Sequence, residues 1–511
     1  MFKRNRLSVF LILVLLLCFL TACGQEQPAA TTDSTTDTTT VDSTESNSTT
    51  VADTTDDENV LRIVTDKSGK FSMNDLVKEL ISDFEDTHPD ISVELEILPD
   101  DVEERNIRLE SLRAEIMSGD GPDVFLFPTT ASYQTELVFQ DVAQSMHNGM
   151  FADISALYDA DTELNKEQLQ STVMEAGVLD GARYVLPLWF SYGTLLIDSE
   201  KLTNYGITED EVSGNIDDLY RLIISRNDYS LAVGTTLESL GAEQLFPHLV
   251  DYETNQILIT AEEIAESTKL YYQHQALIYR EHNLDEVSVD RDKNRAAVSS
   301  YVSFGEYWRN GSKPMHIDNL HQTLRHYVIS QAGGHGELKV IPLRSADGSV
   351  TAKVTYWGAV SAGCDKVELA YEFLRTLLSE NAQWEIGRSS AGVALSGFFY
   401  GMGYPVRVQG SVEHLTTSVI NMGSQAIDPD NLEESKARFE ALEQVVLTDD
   451  NFPLLDVEIG HVRFPIMWES NFARQRSNLM EYEPFSVPTD EEIDEWAKEL
   501  VRELEFHIAE G

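Results

Sequence analysis

The chain has 511 residues, with 37 Lys plus Arg against 87 Asp plus Glu, a formal charge of −50. No basic stripe offsets that charge, which argues against nucleic acid or an anionic lipid surface as a partner. With 42% hydrophobic residues the chain can bury a large core, and its length calls for two or more lobes.

The N-terminus is basic at Lys3, Arg4 and Arg6, then apolar from Leu7 to Leu20, then Thr21-Ala22-Cys23-Gly24. The apolar run is shorter than the roughly 20 residues that a bilayer core demands and ends in small side chains, the pattern of an export signal. Leu20-Thr21-Ala22-Cys23 resembles a bacterial lipoprotein signal, which implies removal of residues 1–22 and a lipid on Cys23. The mature protein is then expected on the extracytoplasmic face of the cell membrane, held by its lipid alone. Cys18 would leave with the signal, so Cys364 has no cysteine with which to form an intrachain disulfide. Residues 23–58 are almost entirely Thr, Ser, Asp, Ala and Glu. Such a segment cannot offset its ordering entropy by burial and is expected to be a disordered tether.

Folding signals begin at Leu61-Arg62-Ile63-Val64, a short strand. Met73, Leu76, Val77, Leu80, Ile81 and Phe84 follow at helical spacing. Ile91 to Ile97 alternates as a half-buried strand does, and Leu109, Leu112, Ile116 and Met117 mark a helix that stops at Gly119. Val124 to Phe127 is apolar throughout, as a strand covered on both faces should be. This order predicts a parallel α/β sheet, with function gathered in the loops Thr65 to Ser72 and Pro128 to Ser132 at the strands' carboxyl ends. Further strands are predicted at Tyr184 to Leu186, Leu195 to Ile197, Leu231 to Val233, Ala296 to Val302, Leu338 to Ile341 and Gly358 to Val360, enough for a second α/β lobe. Asp365-Lys366-Val367-Glu368 resembles a capping box opening a helix, and Ile493 to Leu504 forms a final helical stripe that places Trp496 in a core.

Neither GxGxxG nor GxxxxGK[ST] stands between a strand and a helix, so no nucleotide cofactor is expected. His316, His321 and His326 recur every five residues, which does not place them on one helical face, and they are read as surface or satisfied side chains rather than metal ligands. The acidic run Asp285, Glu286, Asp290 and Asp292 lacks the glycine of an EF-hand loop. No metal is expected.

Several segments, in order, resemble the extracellular solute-binding proteins of ABC importers, in the group that includes maltose-binding protein. They are Leu112 to Ile116 with Gly119-Asp120-Gly121-Pro122-Asp123-Val124; Tyr184-Val185-Leu186-Pro187 leading to Ile197 to Leu202; Ala296-Ala297-Val298 leading to Trp308; Trp357-Gly358-Ala359-Val360-Ser361; and Ala391 to Leu395. The resemblance covers roughly residues 60–510. It implies a two-lobed periplasmic-binding-protein-like fold with a hinge and a ligand cleft. The chain would cross between lobes near Phe190, near Trp357 and after Leu395, giving one lobe of residues 59–190 with 358–395 and another of 191–357 with 396–511. It also implies a monomeric receptor that closes on a small solute and delivers it to membrane permease subunits, with no catalysis and no cofactor.

A sugar presents apolar C–H faces and a rim of hydroxyls, so its pocket needs aromatic plates and directional polar groups. At the positions where the resemblance implies ligand contacts, the candidates of these types are Phe127, Thr130, Trp189, Phe190, Tyr192, Ser300, Trp308, Trp357 and Trp468, with Ser132 and Ser303 as further polar candidates. Asp123, in a turn, is read as a structural brace. The stretch Phe127 to Ser132 carries an aromatic and hydroxyls but no charge, so the charged contacts of some sugar binders do not carry over. A peptide, a polyol or another polar metabolite on the same fold is the nearest alternative, followed by a sensory role. A glycan-degrading enzyme is more distant, because neither GxSxG nor HExxH is present.

Overall fold

The computed structural model describes residues 59–66, 73–129, 137–228, 231, 242–252, 254–281, 314–320, 327, 338–383, 403–408, 457–466 and 488–510, with isolated positions and short pieces between 412 and 475. The expected strand Ala296 to Val302 lies outside the described residues; of Leu231 to Val233 only Leu231 is described, and it is buried. Asp56–Gly511 forms one compact unit by its contacts.

The fold starts with β1 (Val60–Thr65), which pairs in parallel with β2 (Ser92–Ile97) on one side and β3 (Val124–Pro128) on the other. Between β1 and β2 runs the helix Met73–Thr87, whose Leu76, Val77, Leu80, Ile81 and Phe84 are all buried on one face. Between β2 and β3 lies the helix Val102–Ser118. It begins well before the apolar stripe because the Asp101 carboxylate accepts from the amides of Glu103 and Glu104, a cap that stabilises by about 1 kcal/mol. It ends where Gly119 takes φ 82°, a left-handed turn that glycine adopts without penalty.

A small hairpin of β4 (Val178–Leu179) and β5 (Ala182–Arg183) precedes β6 (Val185–Ser191), every residue of which is buried. Then come β7 (Gly193–Asp198), the short pair β8 (Val250–Asp251) and β9 (Gln256–Ile257), β10 (Met315–Asn319), β11 (Leu338–Pro342), β12 (Val350–Val360), β13 (Tyr404–Pro405) and β14 (Ile459–Arg463). Two main sheets result. The larger has the order β13-β6-β12-β3-β1-β2, with β14 parallel to the first part of β12. In it β12 runs antiparallel between β3 and β6. The β6–β12 register shifts at Tyr356, where Trp189 faces Tyr356 and Pro187 faces Trp357; Pro187 has no amide hydrogen to give the ladder. The smaller sheet is β10-β7-β11, antiparallel throughout.

Each sheet carries its own hydrophobic core. The first gathers the helices around β1 to β3, β6 and β12, together with the helix Val367–Thr376. The second gathers β7 and β10 with the helices Ile216–Arg226, Ala261–Glu281 and Asp490–Glu510, the last through Ile493, Trp496, Ala497, Leu500 and Leu504. This is the mixed α/β, two-lobed architecture that the sequence predicts. Among the described residues the chain changes core at Tyr192, again between Leu343 and Val350, and again between Phe464 and Ile466, while Leu320, between the second-core residues Ile317 and Leu343, also packs in the first core. The buried hydrophobic side chains of β12 from Val350 onward, Trp357 among them, all belong to the first core.

One local expectation is corrected. The helix after Cys364 has no capping box: its N-cap is Lys366, without a side-chain cap bond. The Lys366 ammonium reaches away to the carbonyl of Val60 at 2.5 Å and lies 3.4 Å from Asp123. Asp123 also accepts the amide of Arg62 at 2.8 Å, so it braces β1 against β3 as expected. Among the described residues no helix is long and apolar enough to cross a membrane.

Candidate functional site

The carboxyl ends of β1, β3 and β6 lie at one end of the sheet, because β12, between β3 and β6 and antiparallel to both, brings its own first half to that end. Polar side chains concentrate there in an otherwise apolar layer: Thr65, Asp66, Thr129, Ser191 and Thr355, each no more than 7% exposed. Thr65 and Tyr356 share a hydrogen bond of 3.0 Å between hydroxyls, and the Tyr356 hydroxyl also donates to the carbonyl of Leu126 at 3.4 Å. Burial pushes the Tyr356 phenol well above its usual range, the Thr65 contact opposing it, so this hydroxyl stays protonated. Thr129 donates its hydroxyl to the carbonyl of Val354 at 2.5 Å and its amide to Thr355 at 3.1 Å, fixing the end of β3 on β12. Asp66 accepts two hydrogen bonds from the buried Arg105, at 2.8 and 2.5 Å.

Four buried polar atoms of this layer have no hydrogen-bond partner among the described residues: Trp189 Nε1, Ser191 Oγ, Thr355 Oγ1 and Trp357 Nε1. Most buried polar atoms in folded proteins are paired, so such a group marks the layer as chemically unusual.

The passages between the cores converge on this end of the sheet. At the first, Tyr192 and Gly193 accept the amides of Leu320 and Leu343 at 3.0 and 2.8 Å. A Cβ on Gly193 would stand 2.7 Å from a methyl of Leu343 and 3.0 Å from the side chain of Gln244, so a larger residue here requires those side chains to move. At the third, Arg463 of β14 pairs with Glu469 through both nitrogens, donates to the carbonyl of Phe246 at 3.4 Å, and Glu469 in turn accepts the amide of Ile466 at 3.0 Å. His461 on the same strand meets Asp347, in the turn of the second passage, at 2.9 Å.

The structure brings some of the sequence candidates together. Phe127 and Trp357 lie 6.0 Å apart in an aromatic group with Phe125, Phe139 and Phe151. Trp189 tilts against Tyr356 at 5.4 Å, and Phe190 lies 6.4 Å from Tyr192 and 6.2 Å from Tyr404. Trp468 stands apart from these: it packs in the second core, stacked on Phe472, with its indole donating to the carbonyl of Leu500 at 2.9 Å. The six sequence candidates Phe127, Trp189, Phe190, Tyr192, Trp357 and Trp468 are each 3% exposed or less. Thr130, Ser132, Ser300, Ser303, Trp308 and Cys23 lie outside the described residues. The expected loops after β1 and β3 point to Thr65, Asp66 and Thr129, but Arg105, Ser191, Thr355 and Tyr356 carry no signal in sequence, since each reads as an ordinary strand or helix residue. His316 is buried on β10, 3.5 Å from Asp318, and no group of metal-ligating side chains occurs among the described residues.

A family model described as bacterial extracellular solute-binding protein matches residues 71–384. No curated protein matches the chain in sequence. Among solved structures, a periplasmic oligogalacturonide-binding protein from Yersinia enterocolitica is similar at 13% identity with a TM-score of 0.51, over 88% of this chain and 100% of that one. A family 1 extracellular solute-binding protein from Alicyclobacillus acidocaldarius gives 16% identity and a TM-score of 0.46 over 88% and 98%. An ABC substrate-binding protein from Listeria monocytogenes, in complex with cycloalternan, gives 15% and 0.43 over 87% and 98%.

Proposed function

The chain belongs to the bacterial extracellular solute-binding proteins, whose model spans more than half of it, and from that premise we propose that it captures a carbohydrate between its two lobes and passes it to an ABC permease. The observation that carries the reading is the convergence of three core-to-core passages on a layer of buried rings and hydroxyls at the carboxyl ends of β1, β3 and β6. Ligands of open α/β sheets bind outside the carboxyl ends of the strands, and a solute touching both lobes favours the closed arrangement by its difference in affinity for the two. The likeness to the oligogalacturonide-binding protein concerns the fold; the carbohydrate reading rests on the aromatic and hydroxyl character of this layer.

In this reading Thr130, Ser300 and Trp308 line the cleft, with the buried Trp189, Phe190 and Tyr192 behind them at the first passage. Phe127, Trp357 and Trp468 act from the layer beneath, holding the walls in place. The receptor works as a monomer tethered by a lipid on Cys23, and closure is its only activity.

The test is the thermal midpoint of residues 59–511 against mono- and oligosaccharides, with peptides, polyols and amino acids alongside, because a ligand that binds only the folded state raises it. A rise with one sugar class that Trp308→Ala abolishes supports the reading. A rise with peptides or polyols alone overturns the carbohydrate part, and consumption of a glycan overturns the binding role. The anchor is tested separately: radiolabelled palmitate should enter the wild-type protein in bacteria and not Cys23→Ser.

A further inference from the structure

Asp141 caps the short helix Val142–His147, and its two carboxylate oxygens face in different directions. The Oδ1 atom accepts the amide of Gln144 at 3.0 Å, an ordinary capping bond. The hydroxyl of Tyr252 donates to Oδ2, and His507 Nε2 lies 3.4 Å from the same oxygen. Beside them the side-chain Nε2 of Gln144 donates to the carbonyl of Ile508 at 3.3 Å. Asp141 is only 4% exposed, so its outer oxygen is supplied by protein rather than by bulk solvent.

The partners come from opposite lobes. Val138, Phe139, Val142 and Met146, around Asp141, belong to the first core. Leu249 and Ile259, flanking Tyr252, and Leu504, one turn before His507, belong to the second. We propose that Asp141, Tyr252 and His507 form a clasp between the lobes, one that sets their relative position without touching the ligand.

The physical case rests on what differs between arrangements. The three chain passages are covalent and persist however the lobes move, whereas the clasp exists only while these two faces meet. Any contact made in one arrangement and lost in another biases the equilibrium between them, and the apparent ligand affinity follows the fraction of molecules in the competent arrangement. Burial first, then the neighbouring Asp141 carboxylate, raises the Tyr252 phenol far above its usual range, with Arg463 opposing and Glu469 adding, so the hydroxyl remains a donor. The inference rests on the two-lobed hinge reading, not on the identity of the solute.

Spin labels on Glu79→Cys in the first lobe and Ser225→Cys in the second, both exposed positions, report the interlobe distance of the full chain without ligand. Asp141→Asn keeps an oxygen for the cap but removes the charge of the clasp, and Tyr252→Phe removes one donor while leaving the ring. Each is expected to broaden or shift the distance distribution beyond the wild-type width, with a cooperative melt retained. Tyr371→Phe is the control: it removes a hydroxyl bond of 2.9 Å to Asp161 within the first lobe and is expected to leave the distribution as in wild type. Unchanged distributions in both clasp variants overturn the proposal, and so does an equal change in Tyr371→Phe. Because no solute is added, a sugar panel without response leaves this result standing.

Discussion

Arg105 lies flat against Asp66, its two terminal nitrogens donating to the two carboxylate oxygens at 2.8 and 2.5 Å, with the arginine 2% exposed. The pair joins the end of β1 to the helix Val102–Ser118 at the sheet edge where the polar layer gathers. Removing one member of such a pair leaves the other charge buried and short of a counter-ion, which costs about 3–5 kcal/mol. Arg105→Met should therefore lower the unfolding free energy by an amount of that order, read as a lower urea midpoint at unchanged m. The double variant Asp66→Asn with Arg105→Met should recover part of the loss, since no full charge is then stranded.

Gly177 marks a backbone contact with no room for a methyl group. A Cβ there would stand 1.9 Å from the carbonyl oxygen of Val185, while the Gly177 carbonyl accepts the amide of Tyr184 at 2.9 Å. Backbone on both sides leaves nothing flexible to move aside. Gly177→Ala should destabilise by about 1–3 kcal/mol or more, read as a lower thermal midpoint. Gly119→Ala is strained by its φ of 82° but meets no atom within 4 Å, and should cost less, about 1 kcal/mol.

The turn before β12 should show a pH signature. Burial raises the Asp347 carboxyl, but the hydroxyl and amide of Ser349 and the ring of His461 outweigh it and bring the group down to about 2 from an ordinary 3.8. A carboxylate depressed on folding contributes stability that is present above the unfolded value and lost as the pH falls through the folded one. The difference in unfolding free energy between wild type and Asp347→Asn should hold near pH 5 and shrink between about pH 4 and pH 2. The pair is solvent-screened, so the difference should be about 1 kcal/mol or less.

Cys364 should be inert while the protein is folded. Burial, the first cause, together with the nearby Asp123 pushes its thiol up to about 12, although the amide of Lys366 and its charge oppose this. The thiolate is the reactive form, and a rise from 9.0 to about 12 reduces it about a thousandfold. Reaction with a disulfide reagent at pH 8 should be very slow in the native protein and fast in urea. Rapid native labelling would show that this corner opens.

Much of the first lobe was legible in the order of residues. Periodicity two in Ile91 to Ile97, periodicity near 3.6 in Met73 to Phe84, the apolar run Val124 to Phe127 and the stop at Gly119 each correspond to an element found within a residue or two. Burial on one face leaves a repeat in the chain that can be read locally. The helix Val102–Ser118 extends further back than its apolar stripe, because Asp101 starts it and its first turn is solvent-facing. The expected capping box at Asp365 failed for a related reason: whether a side chain caps a helix depends on what else it can reach, and Lys366 reaches Val60 and Asp123.

By itself, the sequence determined the α/β elements, the two-lobed class and the family, because these rest on local burial patterns and on the order of segments. Only the tertiary structure decided which of those elements meet. Tyr356 bonds Thr65 across 291 positions, because β12 inserts between β3 and β6; Asp141 finds Tyr252 and His507; and Trp468 packs in the second core, away from Trp189 and Trp357. A hydrophobic repeat records that a side chain is buried but not against what. The partner is chosen by chain closure over hundreds of residues, which leaves no periodic trace at either end.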